Sequence, residues 1–192
     1  MSQLLQQVID RGHVIDDWLS PLRAHALEAL SNAKWPNRRV ESWKFTSLAP
    51  LEQLELSPSA KADKAIIQDI EGLNSLDLVF VDGKLQSDIS LLPSPKGLHI
   101  GSLLDPSVKE QSTANGLFAK IKTQRHLFGL VNDALAEDGL IIDIDAGSKI
   151  KQPIRIVNLS SDGQESHHRI LVRLGSHASA TVIEHGRSNA LG

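Results

Sequence analysis

The last quarter of the chain, residues 139–192, constrains the fold most, because four short apolar segments follow one another there with turn-forming residues between them. Within each segment, apolar side chains alternate with polar or charged ones, and this period of two predicts strands with one buried and one solvated face. Aliphatic and β-branched residues dominate the segments, as they do in β-strands generally. The four predicted strands are Leu140–Ile144, Ile154–Asn158, Ile170–Leu174 and Ala180–Glu184.

The first of these strands shows the alternation clearly. Leu140, Ile142 and Ile144 point to one side, whereas Asp143 and Asp145 point to the other, which predicts two solvated carboxylates. The starts of the four strands are irregularly spaced and show no strict short repeat. The pattern fits both the edge of a β-sandwich and the opening rungs of a β-solenoid, and periodicity does not choose between them.

The upstream part of the chain is predicted to be mainly helical. One helical period covers residues 16–33 and a second covers residues 115–137. Gly139 is expected to end the second helix in a left-handed conformation. Between the two helices, Leu76–Val81 is predicted to be a strand, and Asp82-Gly83 is a strong signal for a tight hairpin after it.

Together these patterns predict an α+β chain with two domains. Residues 1–136 are expected to form a mainly helical N-terminal domain with a small β-hairpin near residues 77–86. Residues 137–192 are expected to begin a β-rich core.

The composition excludes several classes of function. The chain has no cysteine, so no disulfide, thiolate nucleophile or cysteine-ligated cluster can form within its 192 residues. A formal charge of −3 gives no overall reason to expect nucleic acid or an anionic membrane as a partner. The N-terminus lacks the features of a signal peptide, and no apolar run approaches the roughly 20 residues that span a bilayer. We therefore expect a cytoplasmic protein that binds neither nucleic acid nor membrane.

Catalytic and metal-binding patterns are weak. The eight histidines show neither the i, i+4 spacing of a helical zinc site nor an interleaved carboxylate. The sequence contains neither a nucleophile elbow nor a glycine-rich phosphate loop. Asp143 and Asp145 are the carboxylates that an acid–base enzyme would use, although solvated charge is the simpler interpretation. We therefore assign no catalytic, cofactor-binding or metal-binding residue.

A basic and aromatic cluster is the one candidate for anion binding. Its members are Lys34, Trp35, Arg38, Arg39, Trp43 and Lys44. Four cations with two aromatic rings are typical of surfaces that hold a nucleic-acid backbone. Glu41 lies within the cluster and the whole chain is acidic, so we expect a structural role instead. In that role the tryptophans pack, and the arginines stack on them or pair with carboxylates.

The same stretch resembles a known family. Residues 36–48, PNRRVESWKFTSL, are similar to the signature Pro-x-Arg-x-x-Glu-x-Trp-Lys-[Tyr/Phe]-Thr-x-Leu of the SufD branch of the SufB/SufD family of iron–sulfur cluster assembly proteins. Residues 127–144, LFGLVNDALAEDGLIIDI, resemble that family's passage from a helix into its first β-rung. The resemblance continues at Pro153-Ile154, His168–Val172 and Ala180–His185. Asp145 stands where the family commonly has proline, and this difference affects only a local turn.

The resemblance implies a fold and a role that composition and periodicity do not supply. It implies that the first rungs of a right-handed parallel β-helix follow the helical domain, which favours the solenoid over the sandwich. It also implies a non-enzymatic scaffold subunit of the SUF machinery, which supports cluster assembly and iron acquisition with a SufB-like subunit and a SufC-like ABC-type ATPase. The complex would handle the iron–sulfur cluster and the SufC-like partner would bind ATP, so this chain is expected to hold no cofactor.

Members of the family are substantially longer than this chain, which is therefore expected to be an N-terminal portion of such a protein. The resemblance places the subunit-interface residues of the family beyond Gly192, and no site residue is carried over. A truncated β-helix would also expose the edge of its last strand. The chain is then expected to form a homodimer, to aggregate or to cover that edge with another segment.

Two hypotheses from other classes stay open. One is a β-solenoid carbohydrate-active enzyme with Asp143 and Asp145 as its acid–base pair. The other is a nucleic-acid-binding module that uses Arg38, Arg39 and Lys44, and its affinity would fall steeply with salt. The scaffold is the leading hypothesis because two blocks of the sequence resemble the SufB/SufD family and the sequence shows no catalytic constellation.

Overall fold

The computed structural model describes residues 2–55, 57, 69–93, 95–121, 126–161 and 163–188, and these residues form five α-helices and seven strands. The helices are α1 (Gln3–Gly12), α2 (Ser20–Ser31), α3 (Ala49–Glu52), α4 (Val108–Phe118) and α5 (Leu127–Leu135). The strands are β1 (Leu76–Val81), β2 (Lys84–Leu85), β3 (Leu98–Ser102), β4 (Asp138–Ile144), β5 (Ile154–Ser160), β6 (His168–Leu174) and β7 (Val182–Ser188). Two compact units contain these elements: Met1–Ser57 with Lys122–Ala136, and Pro58–Ile121 with Glu137–Gly192.

In the first unit, α1, α2 and α5 pack around one apolar core. α1 begins after Ser2, whose Oγ accepts a hydrogen bond from the Leu5 N–H at 3.2 Å and so caps the helix. α2 lies within the helix predicted over residues 16–33 and has Pro21 in its first turn. The buried side chains of this core are Leu4, Leu5, Val8, Ile9, Ala26, Leu27, Leu30, Leu130, Val131, Ala134 and Leu135.

Within the described residues, no helix is long and apolar enough to cross a membrane.

A buried arginine joins α2 to the end of α5. The Arg23 side chain is 2% exposed, and its Nη2 lies 2.7 Å from the Asp17 carboxylate. Its Nη1 donates to the carbonyl of Ala134 at 2.5 Å, and its Nη2 donates to that of Ala136 at 3.3 Å. Carbonyls at the end of a helix lack partners within the helix, so Arg23 supplies donors where α5 ends.

The single helix predicted over residues 115–137 is wrong, because α4 and α5 occupy this region separately. α4 starts earlier than predicted, where Ser107 and Glu110 form a capping box. The Ser107 Oγ accepts from the Glu110 N–H at 3.4 Å, and the Glu110 Oε2 accepts from the Ser107 N–H at 2.7 Å. Both helices have apolar residues at helical spacing. The sequence therefore shows one apparent helical period, although α4 ends at Phe118 and α5 begins at Leu127.

Gly139 lies inside β4 and does not end a helix, so its predicted role is also wrong. α5 ends at Leu135, and Ala136 is its cap. Gly139 has a φ of +156° and pairs with Arg169 of β6. A Cβ at Gly139 would overlap the Arg169 backbone, so the close approach of the two strands explains the glycine.

The second unit contains two mixed sheets. One has the strand order β2-β1-β5-β7 and the other has the order β3-β4-β6. β5 pairs in parallel with β1 and β7, and β4 pairs in parallel with β6, whereas β1–β2 and β3–β4 are antiparallel. Both sheets contribute to one apolar core, whose buried members are Leu76, Leu78, Phe80, Leu98, Leu140, Ile142, Ile144, Ile150, Ile154 and Ile156.

The local strand predictions are confirmed. β4, β5 and β6 cover their predicted segments, and β7 starts at Val182 instead of the predicted Ala180. The predicted hairpin joins β1 to β2. Its two turn residues have positive φ, +47° at Asp82 and +78° at Gly83, as a two-residue hairpin turn of this kind requires.

The predicted right-handed parallel β-helix is wrong. Within the described residues the strands form two mixed sheets, and neither a solenoid nor a closed sheet is present. The reason lies in the upstream strands: β1 pairs in parallel with β5 over six residues, and β3 pairs antiparallel with β4 over five. The chain is therefore a mixed α/β protein in which segments far apart in sequence share each sheet.

The two compact units can be compared with the domains expected from the sequence, 1–136 and 137–192. Both divisions place a boundary after Ala136. They differ for residues 58–121, which belong to the same unit as the C-terminal strands.

We expect Gly139→Ala to destabilise the protein by about 2 kcal/mol or more, because its methyl group would displace the Arg169 backbone and disturb the β4–β6 pairing. Gly116→Ala is the matched control. Gly116 lies in α4 with open space around it, and alanine there should stabilise the helix by about 0.5–1 kcal/mol. Urea denaturation followed by circular dichroism measures both changes. Equal effects of the two substitutions would contradict the strand-contact explanation of Gly139.

Candidate functional site

The outer face of the β3-β4-β6 sheet carries a row of charged residues. In the strand register, His99 of β3 lies beside Asp143 of β4, and Asp143 lies beside Arg173 of β6. Asp145 follows two residues after Asp143 and therefore faces the same side. The sequence predicts the two carboxylates on one face, and the register adds the histidine and the arginine to them. We call these four side chains the charged row.

Each carboxylate of the charged row has a charged or polar partner. The Arg173 Nη2 lies 2.5 Å from the Asp143 Oδ1, and the His99 Nε2 lies 3.0 Å from the Asp145 Oδ2. The Asp143 side chain is 6% exposed, so its predicted solvation is wrong. The cause is α4, which packs against β4 and β6 on this face. Asp145 lies past the end of β4 and stays half exposed, as predicted.

The electrostatics of the charged row do not suit acid–base catalysis. The hydrogen bond between His99 and Asp145 lowers the pKa of the Asp145 carboxyl below its ordinary value. The bond to Asp143 raises the pKa of the Arg173 guanidinium, which therefore stays charged. A carboxyl group that acts as a general acid near neutral pH needs a raised pKa instead. These contacts therefore favour a structural role for both carboxylates.

The cavity that the Asp143 carboxylate lines is small. Its volume is about 110 Å³, and Asp143, Ile141 and Gly101 line it together with residues of α4. Pockets for drug-sized ligands are larger, roughly 300–1,000 Å³. At about 30 Å³ for each water molecule, the cavity holds a few waters and is too small for an oligosaccharide.

A second, open cleft lies between the two sheets at β6 and β7. Its volume is about 300 Å³, and its lining residues are Ile156, His168, Ile170, Val172, Val182 and Glu184. The His168 ring stacks on Phe80 at a centroid distance of 4.5 Å, and burial lowers the pKa of His168. The Asn158 Nδ2 donates to the Glu184 Oε1 at 3.1 Å. A mostly apolar lining whose polar groups are already engaged suits contact with a polypeptide.

The strands beside this cleft are edge strands. Within the described residues, β6 and β7 each have a neighbour on one side only, so backbone groups on the other side are available for pairing. Leu174 of β6 and Val182 of β7 are 49% and 41% exposed. Within the described residues, these edges therefore combine a side without a neighbouring strand with exposed apolar side chains.

The basic and aromatic cluster lies in the first unit, between α2 and α3. Trp35 and Trp43 pack edge-on against Phe128, with ring centroids 6.3 and 5.6 Å away, and the predicted packing of the tryptophans is confirmed. Arg38 and Arg39 are exposed. In the part of the chain that the structure describes, neither arginine stacks on an aromatic ring or pairs with a carboxylate, so that part of the prediction is wrong.

The histidines are dispersed. Across residues 2–55, 57, 69–93, 95–121, 126–161 and 163–188, no three His, Asp or Glu side chains lie close enough to hold a metal ion together. The assignment of no metal, cofactor or catalytic residue stays a prediction.

Sequence reasoning missed the partners of the two carboxylates. Asp143 and Arg173 are 30 positions apart in the chain and His99 and Asp145 are 46 apart, and the registers of β4 with β6 and β3 bring each pair together. The alternation along Leu98–Ser102 does place His99 on the face opposite the buried Leu98, which is a weak signal.

Comparison with known proteins identifies the family. Residues 6–156 match the model of the SufBD protein N-terminal region, and this match covers most of the chain. The chain belongs to the SufB/SufD family. The matched region contains most of α1, all of α2 to α5, and the strands as far as the first half of β5.

Three known proteins are similar to this chain over most of its length. It is 29% identical over 181 residues to the iron–sulfur cluster assembly protein SufD of Escherichia coli. This match covers 86% of this chain and 38% of that protein. It is 26% identical over 151 residues to the chloroplastic protein ABCI7 of Arabidopsis thaliana, covering 75% of this chain and 31% of that one. It is also 26% identical over 179 residues to an iron–sulfur cluster assembly SufBD family protein of Synechocystis, with coverages of 88% and 39%. The chain thus spans less than two fifths of the length of these relatives.

We expect Asp143→Asn to lower the free energy of unfolding by about 1–2 kcal/mol, because Arg173 would lose its charged partner beside a buried strand. Asp145→Asn alters a half-exposed pair and should have a clearly smaller effect. Chemical denaturation of the two variants measures the difference. An Asp143→Asn variant more stable than the unsubstituted protein would instead indicate a strained carboxylate of the kind that active sites retain.

The lowered pKa of Asp145 gives a separate pH prediction. In the unfolded chain an aspartate has a pKa of about 3.9, so the Asp145–His99 contact contributes its full stability above that pH. The contribution is lost as the pH falls through the lower pKa of the folded state. Asp145→Asn should therefore reduce the loss of stability on acidification below about pH 4, measured as urea midpoints at a series of pH values. An unchanged acid dependence would contradict the contact.

Proposed function

We propose that this chain is the N-terminal part of a scaffold subunit that supports iron–sulfur cluster assembly in a SUF-type complex. The observation that carries the proposal is the family match over residues 6–156. The similarity to a protein named for iron–sulfur cluster assembly, over 86% of this chain, supports the same role. Because that relative is much longer, the role of the whole protein is a proposal and not a finding.

The proposed complex also contains a SufB-like subunit and a SufC-like ABC-type ATPase, and the latter binds the ATP. In this division of work the chain is not an enzyme and holds no cofactor of its own. The iron–sulfur cluster is the cargo of the complex. These 192 residues contain no cysteine thiolate to bind it, which supports ligands supplied from elsewhere in the assembly. The cytoplasm is the proposed location.

Surfaces suited to protein contact support a scaffold role. The edge strands β6 and β7 border an open, mostly apolar cleft, and an added polypeptide segment could pair with either edge. A homodimer through the same edges is a further proposed arrangement of this chain.

A carbohydrate-active enzyme is the alternative function, and the geometry does not favour it. Asp143 and Asp145 are engaged by Arg173 and His99. The cavity that Asp143 lines, about 110 Å³, does not admit an oligosaccharide. Their contacts and electrostatics are those of structural charges.

Co-purification tests the scaffold proposal. The longest natural protein that contains these residues is co-expressed with the SufB-like and SufC-like subunits of the same organism, and the SufC-like subunit carries the affinity tag. We expect one complex of fixed stoichiometry by size-exclusion chromatography with light scattering. A tagged ABC-type ATPase from an unrelated transporter is the control and should retain none of the chain. Reproducible absence of the chain from the purified SufC-like subunit would contradict the proposal.

A further inference from the structure

The stretch between α2 and α3, residues 34–46, is held in one conformation although it contains no long element of secondary structure. Trp35 and Trp43 fix its two ends against the Phe128 ring. Between them, the Val40 N–H donates to the Asn37 carbonyl at 3.0 Å, and the Trp43 N–H donates to the Val40 carbonyl at 2.9 Å. A surface segment fixed in this way loses little conformational entropy when it binds a partner. We call residues 34–46 the anchored loop.

The anchored loop presents apolar groups to solvent. Phe45 is 92% exposed, and Val40 is 44% exposed. Among the residues that the structure describes, the Lys44 ammonium lies over the Phe45 ring, 5.4 Å from its centroid, and the ring is not part of a core. Burial of such a ring against another molecule removes a large apolar area from water, which favours association.

The anchored loop is also strongly basic. It contains four basic residues and one acidic residue, a formal charge of +3 in a chain whose total is −3, so the remaining residues carry −6. Lys34, Arg38 and Arg39 are exposed. Their side chains make no ion pair or hydrogen bond within the residues that the structure describes. Folding therefore leaves these positive charges available to a partner.

We infer that the anchored loop is a docking surface for an acidic protein face, with Phe45 as the apolar anchor and Arg38 and Arg39 as the charged contacts. Arginine and aromatic residues are the side chains that contribute most to binding at protein interfaces. Complementary charge orients the two surfaces during encounter. The inference rests on the proposed function, because the acidic face is sought on another subunit of the same assembly.

A nucleic acid is the other polyanion to consider, and the structure favours it less. Glu41 lies exposed in the middle of the anchored loop. Proteins that hold a single strand stack successive bases on several rings, whereas Phe45 is the one fully presented ring here, because Trp35 and Trp43 pack on Phe128. A single exposed ring in the same short loop as two exposed arginines fits a protein face better.

The test compares two variants of the longest natural protein that contains these residues. Phe45→Ala removes the anchor, and the Arg38→Glu, Arg39→Glu double variant reverses the charge. We expect each to bind the purified SufB-like and SufC-like subunits at least about tenfold more weakly, as loss of an interface hot spot does. Binding of the unsubstituted protein should weaken with added salt, and the charge-reversed variant should lose most of that dependence. Biolayer interferometry at several salt concentrations measures both effects.

Two variants outside the anchored loop are matched controls. Leu91→Ala removes an apolar side chain that is 80% exposed, and the Lys149→Glu, Lys151→Glu double variant reverses two exposed charges. We expect both to bind within about twofold of the unsubstituted protein, since isolated exposed residues contribute little. All variants change exposed side chains, so thermal unfolding should confirm that each stays folded.

The outcomes separate the inference from the function on which it rests. Weaker binding by the loop variants alone supports the inference. Binding that is equally strong in the loop variants overturns it and leaves the scaffold role in place. If the unsubstituted protein binds neither subunit, the scaffold proposal fails and the inference fails with it. Fluorescence anisotropy with a single-stranded oligonucleotide tests whether the anchored loop binds nucleic acid instead. Tight binding of the oligonucleotide that the Arg38→Glu, Arg39→Glu variant abolishes would overturn the inference and assign the anchored loop to nucleic acid.

Discussion

Complete burial of β4 is the constraint on which the strand-containing unit depends. All seven residues of this strand are buried, which requires cover on both of its faces. The inner face packs into the core that the two sheets share, and α4 covers the outer face. Buried charges on such a strand must be matched, because an unpaired buried carboxylate is costly. Asp143 is matched by Arg173, and Asp138 accepts hydrogen bonds from the N–H groups of Leu85 and Gly139 at 2.9 and 2.7 Å. The pairing of Asp143 with Arg173 in the charged row is thus a consequence of the burial of β4 under α4.

Structure that short-range rules determine could be predicted from the sequence. Alternation along a strand and the residues of a tight turn act over a few positions, so β4, β5, β6 and the Asp82-Gly83 hairpin were predicted nearly as they occur. The packing of Trp35 and Trp43 was predicted for a similar reason, since large aromatic side chains in an ordered connection are rarely left in water. In each case the deciding information lies within the segment itself.

The errors arise where distant segments meet. Leu76 of β1 pairs with Ile154 of β5, 78 positions later, and no periodicity within the last quarter of the chain indicates that upstream strands complete its sheets. The same cause explains the carboxylates. Alternation predicts the correct face for Asp143 but carries no information about α4, which covers that face, so Asp143 forms a buried ion pair where the sequence predicts a solvated charge. Gly139 was assigned to a helix end because a close approach to Arg169 depends on the β4–β6 register.

Burial and pairing also separate the residues that folding explains from those it does not. In α5 and β4, side chains are buried, paired or both, and their identities follow from packing. In the anchored loop, Trp43 is explained by its contact with Phe128, whereas Phe45 and Arg38 stabilise nothing that the structure describes. An exposed ring with a cation over it favours association in water, and an approaching anionic surface relieves repulsion among the cations of the anchored loop. Packing within the described residues does not explain these exposed side chains, whereas the proposed docking surface does.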